Sequence, residues 1–130
     1  MTSKLMLQIA MGVLGVIPIV TALPEIYRGL PASFIAAGDE NAGRDSDYRY
    51  WAAIWVAMGA GLYLLLPRIE SETLMSRTIM GGIIFGGLSR LFGAVQRKYP
   101  LKGRLRGALF IELVIIPALV VWQSLVASGK

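Results

Sequence analysis

The sequence predicts an all-α, polytopic membrane protein folded as a four-transmembrane-helix bundle. Hydrophobic residues make up 55% of the 130 residues and charged residues only 16%, whereas charged residues form about a quarter of an average soluble domain. The apolar residues form long continuous runs, which favour helical spans of about 20 residues over the short alternating segments of a membrane β-barrel. We therefore expect one integral membrane domain covering residues 1–130.

Four apolar runs are long enough to be membrane helices. Pro24 is expected to end the first run and Pro67 the second, because proline cannot continue the hydrogen-bond pattern of a helix. Pro117 lies inside the fourth run, where a membrane helix tolerates it as a kink. The connection over residues 27–45 is expected either to be an irregular exposed loop or to lie along the membrane surface through its apolar patch at residues 34–37. The four spans are about residues 5–23, 48–66, 78–96 and 107–127.

The first run has a second interpretation, a cleaved signal peptide. It follows Lys4 and is apolar, as a signal peptide would be. Its Val20-Thr21-Ala22 segment is a poor cleavage site, however. The membrane span is therefore the preferred interpretation.

The chain has no Cys and no His, which excludes several kinds of chemistry. Disulfides, thiolate clusters, imidazole-ligated haem or zinc, and catalysis by Cys or His all require these residues. Carboxylate chemistry remains open. We expect no metal site and no cofactor, and we attribute the net charge of +5 to loops that contact membrane lipids rather than to nucleic-acid binding.

Basic residues are distributed unevenly across the predicted membrane. In a four-span chain both termini share one side, here called the terminal side, and the loops after the first and third spans share the other, the loop side. Of the 13 Lys and Arg residues, nine fall on the loop side and four on the terminal side. Cytoplasmic loops are enriched in Lys and Arg, so we predict a bacterial inner-membrane protein with a cytoplasmic loop side and both termini periplasmic. Five of the nine lie in one short loop: Arg97, Lys98, Lys102, Arg104 and Arg106.

Ionisable residues inside the spans form a candidate polar cluster. Arg90 in the third span and Glu112 in the fourth lie at similar depth near the loop side, where Arg49, Asp47 and Glu25 are also expected. Such residues usually point inward and pair, because facing lipid costs several kcal/mol. We therefore predict an Arg90–Glu112 ion pair surrounded by the other three. A structural pin and a ligand site both remain open interpretations of this pair.

Small residues line one face of the third span. Gly82, Gly86, Ser89 and Gly93 follow one another at spacings of four, three and four residues, a pattern that lets helix backbones approach closely. We call these four residues the small-residue stripe and predict that it packs against a neighbouring helix. Inward faces are also predicted on the three other spans: Gln8, Gly12, Gly15 and Ala22 on the first, Arg49, Ala53, Ala57 and Gly61 on the second, and Glu112, Ile116, Leu119 and Gln123 on the fourth.

The order and spacing of several motifs resemble a family of small bacterial four-helix membrane proteins, domain of unknown function 4345. The resemblance implies a four-helix fold and makes Arg49, Arg90 and Glu112 the family-pattern polar residues, but it implies no activity, substrate or partner. The chain departs from the family at residues 97–101, where a Gly-Arg-Pro type of turn is expected. The motifs are Asp47-Tyr48-Arg49-Tyr50-Trp51-Ala52-Ala53, Pro67-Arg68-Ile69, Gly86-Gly87-Leu88-Ser89-Arg90-Leu91, and Glu112-Leu113 followed by Pro117 and Trp122.

Three classes of function fit these features. A non-enzymatic accessory or assembly component of a membrane complex, or a small homo-oligomer, requires only packing faces and a charge pair. The alternative is a binder of lipids or hydrophobic small molecules, or an isomerase-like membrane enzyme that uses Glu112 and Arg90. A transporter or channel subunit ranks last, because four spans without repeats or broken helices would have to oligomerise. The chain is therefore interpreted first as a non-enzymatic component.

Overall fold

The described part of the computed structural model, residues 2–31, 40–98 and 100–129, is helical and contains no strand. This confirms the predicted all-α class. A single turn of 3-10 helix, Leu66–Arg68, follows the second helix. The remaining elements are α1 (Ser3–Arg28), α2 (Glu40–Leu65), α3 (Thr73–Arg97), α4 (Gly103–Phe110), a π-helical segment (Ile111–Ile115) and α5 (Ile116–Ala127).

Four helical segments within the described residues are long and apolar enough to cross a membrane. Each has 25 or 26 residues, which exceeds the roughly 20 that a span requires. The chain is therefore a multi-pass membrane protein, as predicted. The four segments are Ser3–Arg28, Gly43–Arg68, Thr73–Arg97 and Gly103–Ala127.

Several predicted helix boundaries differ from the structure, including the start of α3 at Thr73 and of α4 at Gly103. Helix α1 continues through Pro24 to Arg28, because a proline removes one N–H while a break in lipid would leave several backbone groups without hydrogen bonds. Helix α2 already begins at Glu40, so the polar residues before Asp47 are helical rather than part of a loop. Residues 32–39 of the predicted loop lie outside the described residues.

The chain divides into two compact units, Met1–Gln8 with Pro67–Lys130, and Ile9–Leu66. Nothing tests the predicted single domain, which stays a prediction. In the first unit α3 packs against α4, the π-helical segment and α5. Buried residues recur there at spacings of three and four, and once of seven, which is typical of helices packed in left-handed bundles. They are Ser76, Met80, Ile83, Gly87 and Ala94 on α3, and Leu109, Glu112, Ile116, Leu119 and Gln123 on the last three elements.

Polar side chains secure the turn that precedes α3 within the first unit. Lys4 Nζ donates a 2.6 Å hydrogen bond to Glu70 Oε1, and the fully buried Gln123 donates from Nε2 to the Ile69 carbonyl at 2.9 Å. The hydrogen bond from Lys4 holds the pKa of Glu70 below its ordinary value. The turn is thus joined to the start of α1 and to the end of α5.

In the second unit, α1 and α2 approach closely at two glycines. A Cβ added to Gly59 would lie 2.8 Å from the Gly15 carbonyl oxygen and 2.9 Å from Pro18 Cγ. Tyr63 on α2 donates from its hydroxyl to the Gly12 carbonyl of α1 at 2.7 Å. Glycine is therefore required at position 59 because of the space available, and not because of its backbone conformation.

The buried face of α2 differs from the one predicted. Ala53 and Ala57 are exposed, whereas Ala52, Gly59 and Leu62 are buried. The predicted face was chosen because small residues follow Arg49 at four-residue steps. The closest packing instead centres on Gly59, whose small size matches that of Gly15 on α1.

Candidate functional site

The candidate site lies where α3 faces the π-helical segment. Arg90 Nε is 3.4 Å from Glu112 Oε1, so the structure brings these two sequence-predicted residues together as an ion pair. The two partners differ in environment: the Glu112 side chain is 6% exposed and that of Arg90 is 52% exposed. The carboxylate therefore belongs to the packed interior of this unit, and the guanidinium lies at its surface.

Glu112 is carried by an irregular turn of the fourth span. The π-helical segment Ile111–Ile115 contains it, and the N–H of Ile116 bonds to the Ile111 carbonyl five residues earlier. Pro117 follows directly inside the first turn of α5 and has no N–H to continue the ordinary α-helical pattern. Such single π turns are rare and frequently lie at functional sites. The proline signalled an irregularity in the sequence, although not the π turn itself.

A glycine contact holds Glu112 against α3. A Cβ added to Gly87 would lie 2.7 Å from Glu112 Cβ and 2.9 Å from Leu113 Cδ2, closer than real Cβ contacts come. Gly87 is buried and stands three residues before Arg90, so both residues face the π-helical segment. The absence of a side chain at position 87 is what lets the carboxylate approach the helix that carries its arginine.

The predicted small-residue stripe lies beside this contact rather than in it. Gly82 and Ser89 are exposed, Gly93 is half-buried, and a Cβ at Gly86 would meet no atom within 4 Å. The tight packing of α3 within the unit instead uses Gly87. A role for the stripe in packing against a helix of another chain stays a prediction.

One carboxylate oxygen of Glu112 is left without a partner. Oε2 is buried and accepts no hydrogen bond among the described residues. Burying a carboxylate oxygen that accepts no hydrogen bond costs free energy, and Arg90 is the group that compensates the negative charge. Glu112 is thus held by Arg90 on one oxygen and has free acceptor capacity on the other.

Arg49 occupies a different structural setting, at the junction of α1 and α2 in the second unit. Its Nε donates to Asp45 Oδ2 at 2.7 Å, and its Nη1 donates to the carbonyls of Ile26 at 2.5 Å and Tyr27 at 3.2 Å. The last carbonyls of a helix have no partner within that helix. Arg49 therefore caps the C-terminus of α1 with one planar guanidinium.

Asp45 completes this cap and was missed by the sequence analysis. Its Oδ1 accepts a 2.6 Å hydrogen bond from the N–H of Leu30, just after Gly29, which has a φ of +73°. A Cβ on Gly29 would overlap Asp45 and Arg49. The four-residue spacing of Asp45 and Arg49 is typical of helical ion pairs, but it was not used because Asp45 was assigned to the connection before the second span.

The other two members of the predicted cluster are Asp47, on α2, and Glu25, on α1. Asp47 is exposed, and Glu25 is half-buried near the end of α1. That Arg49, Asp47 and Glu25 surround the Arg90–Glu112 pair stays a prediction. Among the described residues, no three acidic side chains are grouped so that they could hold a metal ion.

The Arg49 cap leads to a testable prediction. Replacing Arg49 by Lys removes the planar fork that reaches Asp45 and two carbonyls at once, since an ammonium cannot reproduce that geometry. We expect the free energy of unfolding in mild detergent to fall by about 1–3 kcal/mol, as for hydrogen bonds to charged groups. Arg44→Lys, at an exposed position one turn earlier, should have no effect. Equal stability of the two variants would contradict the cap.

The helical composition, the four long apolar helices and the embedded ion pair define a small multi-pass helical membrane protein. The family model described as Domain of unknown function (DUF4345) matches residues 6–123. The chain belongs to this family, which confirms the resemblance noted from its motifs. No curated protein and no solved structure matches the chain.

Proposed function

We propose that the protein is a non-enzymatic accessory or assembly component of a complex in the bacterial inner membrane. The observation that supports this most directly is the packing of Glu112 against Gly87, whose hypothetical Cβ would lie 2.7 Å from Glu112 Cβ. A carboxylate that packs closely against α3 and is paired with Arg90 fixes the register of α3 relative to the π-helical segment. This is a task that a buried charge pair can perform without any reaction.

The same packing argues against proton transfer by Glu112. A general base must come within hydrogen-bonding distance of the proton that it removes, and a substrate reaching Glu112 would have to enter a contact with no space for a methyl group at Gly87. The unpartnered Oε2 favours the alternative, a binder of a lipid or hydrophobic small molecule or an isomerase-like enzyme. That alternative requires the π-helical segment to move away from α3.

A partner helix would find a suitable surface on α3. Phe85 and Phe92 are 71% and 68% exposed, and exposed Gly82 and Ser89 lie beside them on the same side of the helix. Small residues next to large apolar ones permit close approach of a second transmembrane helix. We call these four residues the partner face. Its occupant is another membrane protein or a second copy of this chain.

The orientation belongs to the same proposal. The basic residues between Arg97 and Arg106 follow α3 and continue into α4, and the positive-inside rule places such a loop in the cytoplasm. Both termini are then periplasmic. A reporter that is active only in the cytoplasm, fused to the C-terminus, should give no signal, and strong activity would reverse the orientation.

The proposed function is tested by purification from native membranes. The tagged chain, extracted in a mild detergent, should retain one membrane protein, or a second copy of itself, in fixed stoichiometry. Gly82→Ile on the partner face should reduce that retention at least tenfold. Gly107→Ile makes the same change where a Cβ meets no atom within 4 Å and serves as the matched control.

Two results would contradict a partner role. These are purification of the chain as a monomer with nothing in fixed ratio, and an equal reduction of retention by Gly82→Ile and Gly107→Ile. Recovery of a bound hydrophobic molecule that Glu112→Gln releases from a still folded protein would instead support the alternative.

A further inference from the structure

Two arginines mark one exposed face near the loop-side end of α3. Arg90 and Arg97 are seven residues apart, which is about two helical turns, so their side chains leave the helix in nearly the same direction. Both are exposed. Gly86 and Gly93 lie on this face as well, four residues before and three residues after Arg90. The face therefore presents two guanidinium groups beside two half-buried glycines.

The described contacts leave most hydrogen-bond donors of this face unused. Arg90 is paired through Nε with Glu112, and within the described residues Arg97 forms no ion pair. A guanidinium carries five N–H donors in a planar fork. The contact with Glu112 therefore orients Arg90. The other N–H donors of its guanidinium group remain available on the exposed side of the helix.

The depth of Arg90 in the membrane favours the binding of an anion from outside the chain. Seven residues separate it from the end of α3, a distance of about 10 Å along the helix. A half-exposed cation at that depth is costly unless an anion or water accompanies it. Arg90, Arg97 and Glu112 together carry a net charge of +1, which matches the single negative charge of a phosphodiester. Lys98 and Lys102 extend the positive charge toward the loop.

We propose that Arg90 and Arg97 bind the phosphate of an anionic phospholipid in the loop-side leaflet. The phosphate accepts hydrogen bonds from both guanidinium groups, as arginine forks commonly provide for phosphate. Gly93 lets the glycerol backbone approach the helix, and the acyl chains pass Gly86 toward the bilayer centre. Neither arginine belongs to the partner face, and Gly82 lies eight residues before Arg90, about 12 Å along the helix axis, so the phosphate contact does not depend on the proposed partner role.

The test is lipid binding to the purified, delipidated full-length protein, measured by native mass spectrometry. Phosphatidylglycerol and phosphatidylcholine of equal chain length are titrated separately, and sn-glycerol 3-phosphate is the soluble probe of the headgroup alone. We expect phosphatidylglycerol to bind at least tenfold more tightly than phosphatidylcholine. Glycerol phosphate at the same concentration should not compete, because the bound lipid also requires its acyl chains.

Variants assign the binding to the two arginines. Arg97→Gln should weaken phosphatidylglycerol binding about tenfold without affecting folding, since Arg97 has no described ion-pair partner. Arg68→Gln removes the same charge from an exposed position at the terminal side and should bind like the wild type. Arg90→Gln should weaken phosphatidylglycerol binding as well. If that single variant unfolds, the double variant Arg90→Gln/Glu112→Gln, which leaves no unpaired charge, is measured in its place.

Three outcomes would overturn the site. These are equal affinity for the two lipids, equal weakening by Arg97→Gln and Arg68→Gln, and full displacement of the lipid by glycerol phosphate. Loss of a co-purifying protein from Arg97→Gln, with phosphatidylglycerol binding unchanged, would also overturn it and assign the arginines to a protein contact. Failure of the Gly82→Ile experiment would leave this site unaffected.

Discussion

Replacing Arg90 by Leu is expected to lower the free energy of unfolding by about 3 kcal/mol. The substitution leaves Glu112 buried with no compensating charge, and breaking a buried ion pair in this way usually costs about 3–5 kcal/mol. The lower end applies here because the Arg90 side chain is 52% exposed, so solvent and headgroups already screen part of the interaction. Unfolding in mild detergent, followed by circular dichroism, measures the loss.

The double variant Arg90→Leu/Glu112→Leu should regain most of that stability. It removes both charges together, and apolar replacements of buried ion pairs are often neutral or stabilising. Arg68→Leu, at an exposed position outside this contact, should leave stability within about 0.5 kcal/mol of the wild type. If the single and double variants are equally unstable, the pair does not act as a structural pin, and the support for a non-enzymatic component is lost.

Gly87→Ala is expected to destabilise the protein by about 1–3 kcal/mol, the usual cost of overpacking. The added methyl group would lie 2.7 Å from Glu112 Cβ and 2.9 Å from Leu113 Cδ2, so α3 and the π-helical segment must separate. That separation would also lengthen the Arg90–Glu112 contact. The effect opposes the ordinary preference for Ala over Gly in a helix, which is about 1 kcal/mol.

Gly81→Ala is the matched control for this experiment. Gly81 lies on the same helix, and a Cβ there meets no atom within 4 Å, so the substitution should be neutral or stabilising. Of the two variants, only Gly87→Ala is therefore expected to lower the midpoint of thermal unfolding. Stabilisation by Gly87→Ala would mean that α3 and the π-helical segment are not in close contact.

The four membrane helices could be predicted because lipid imposes a simple requirement. Each span must be long, apolar and internally hydrogen-bonded, and these properties are visible in local sequence. The pairing of Arg90 with Glu112 followed from the cost of unpaired charges at similar depth. The passage of α1 through Pro24 was not anticipated, because the rule that proline ends a helix reflects an aqueous environment, where freed backbone groups can bond to water.

The packing glycines were harder to identify from sequence. Gly82 and Gly86 belong to a regular stripe, whereas Gly87 was named only as part of a family motif, yet Gly87 is the glycine that contacts Glu112. A shift of one residue turns a helix face by about 100°, so spacing alone cannot select the contacting face. Asp45 escaped notice for a related reason, since its pairing with Arg49 exists only if α2 begins before Asp47.

The lengths of the four helical segments have a consequence for the bilayer itself. At about 1.5 Å per residue, a segment of 25 residues measures about 38 Å, against a hydrocarbon thickness of about 30 Å. An upright helix would therefore extend about 4 Å into the headgroup layer on each side. All four segments share this length, so hydrophobic mismatch acts on them alike, and Arg90 then lies only about 6 Å beneath the hydrocarbon boundary. A membrane a few ångströms thinner would bring that boundary closer to its guanidinium group and ease its solvation.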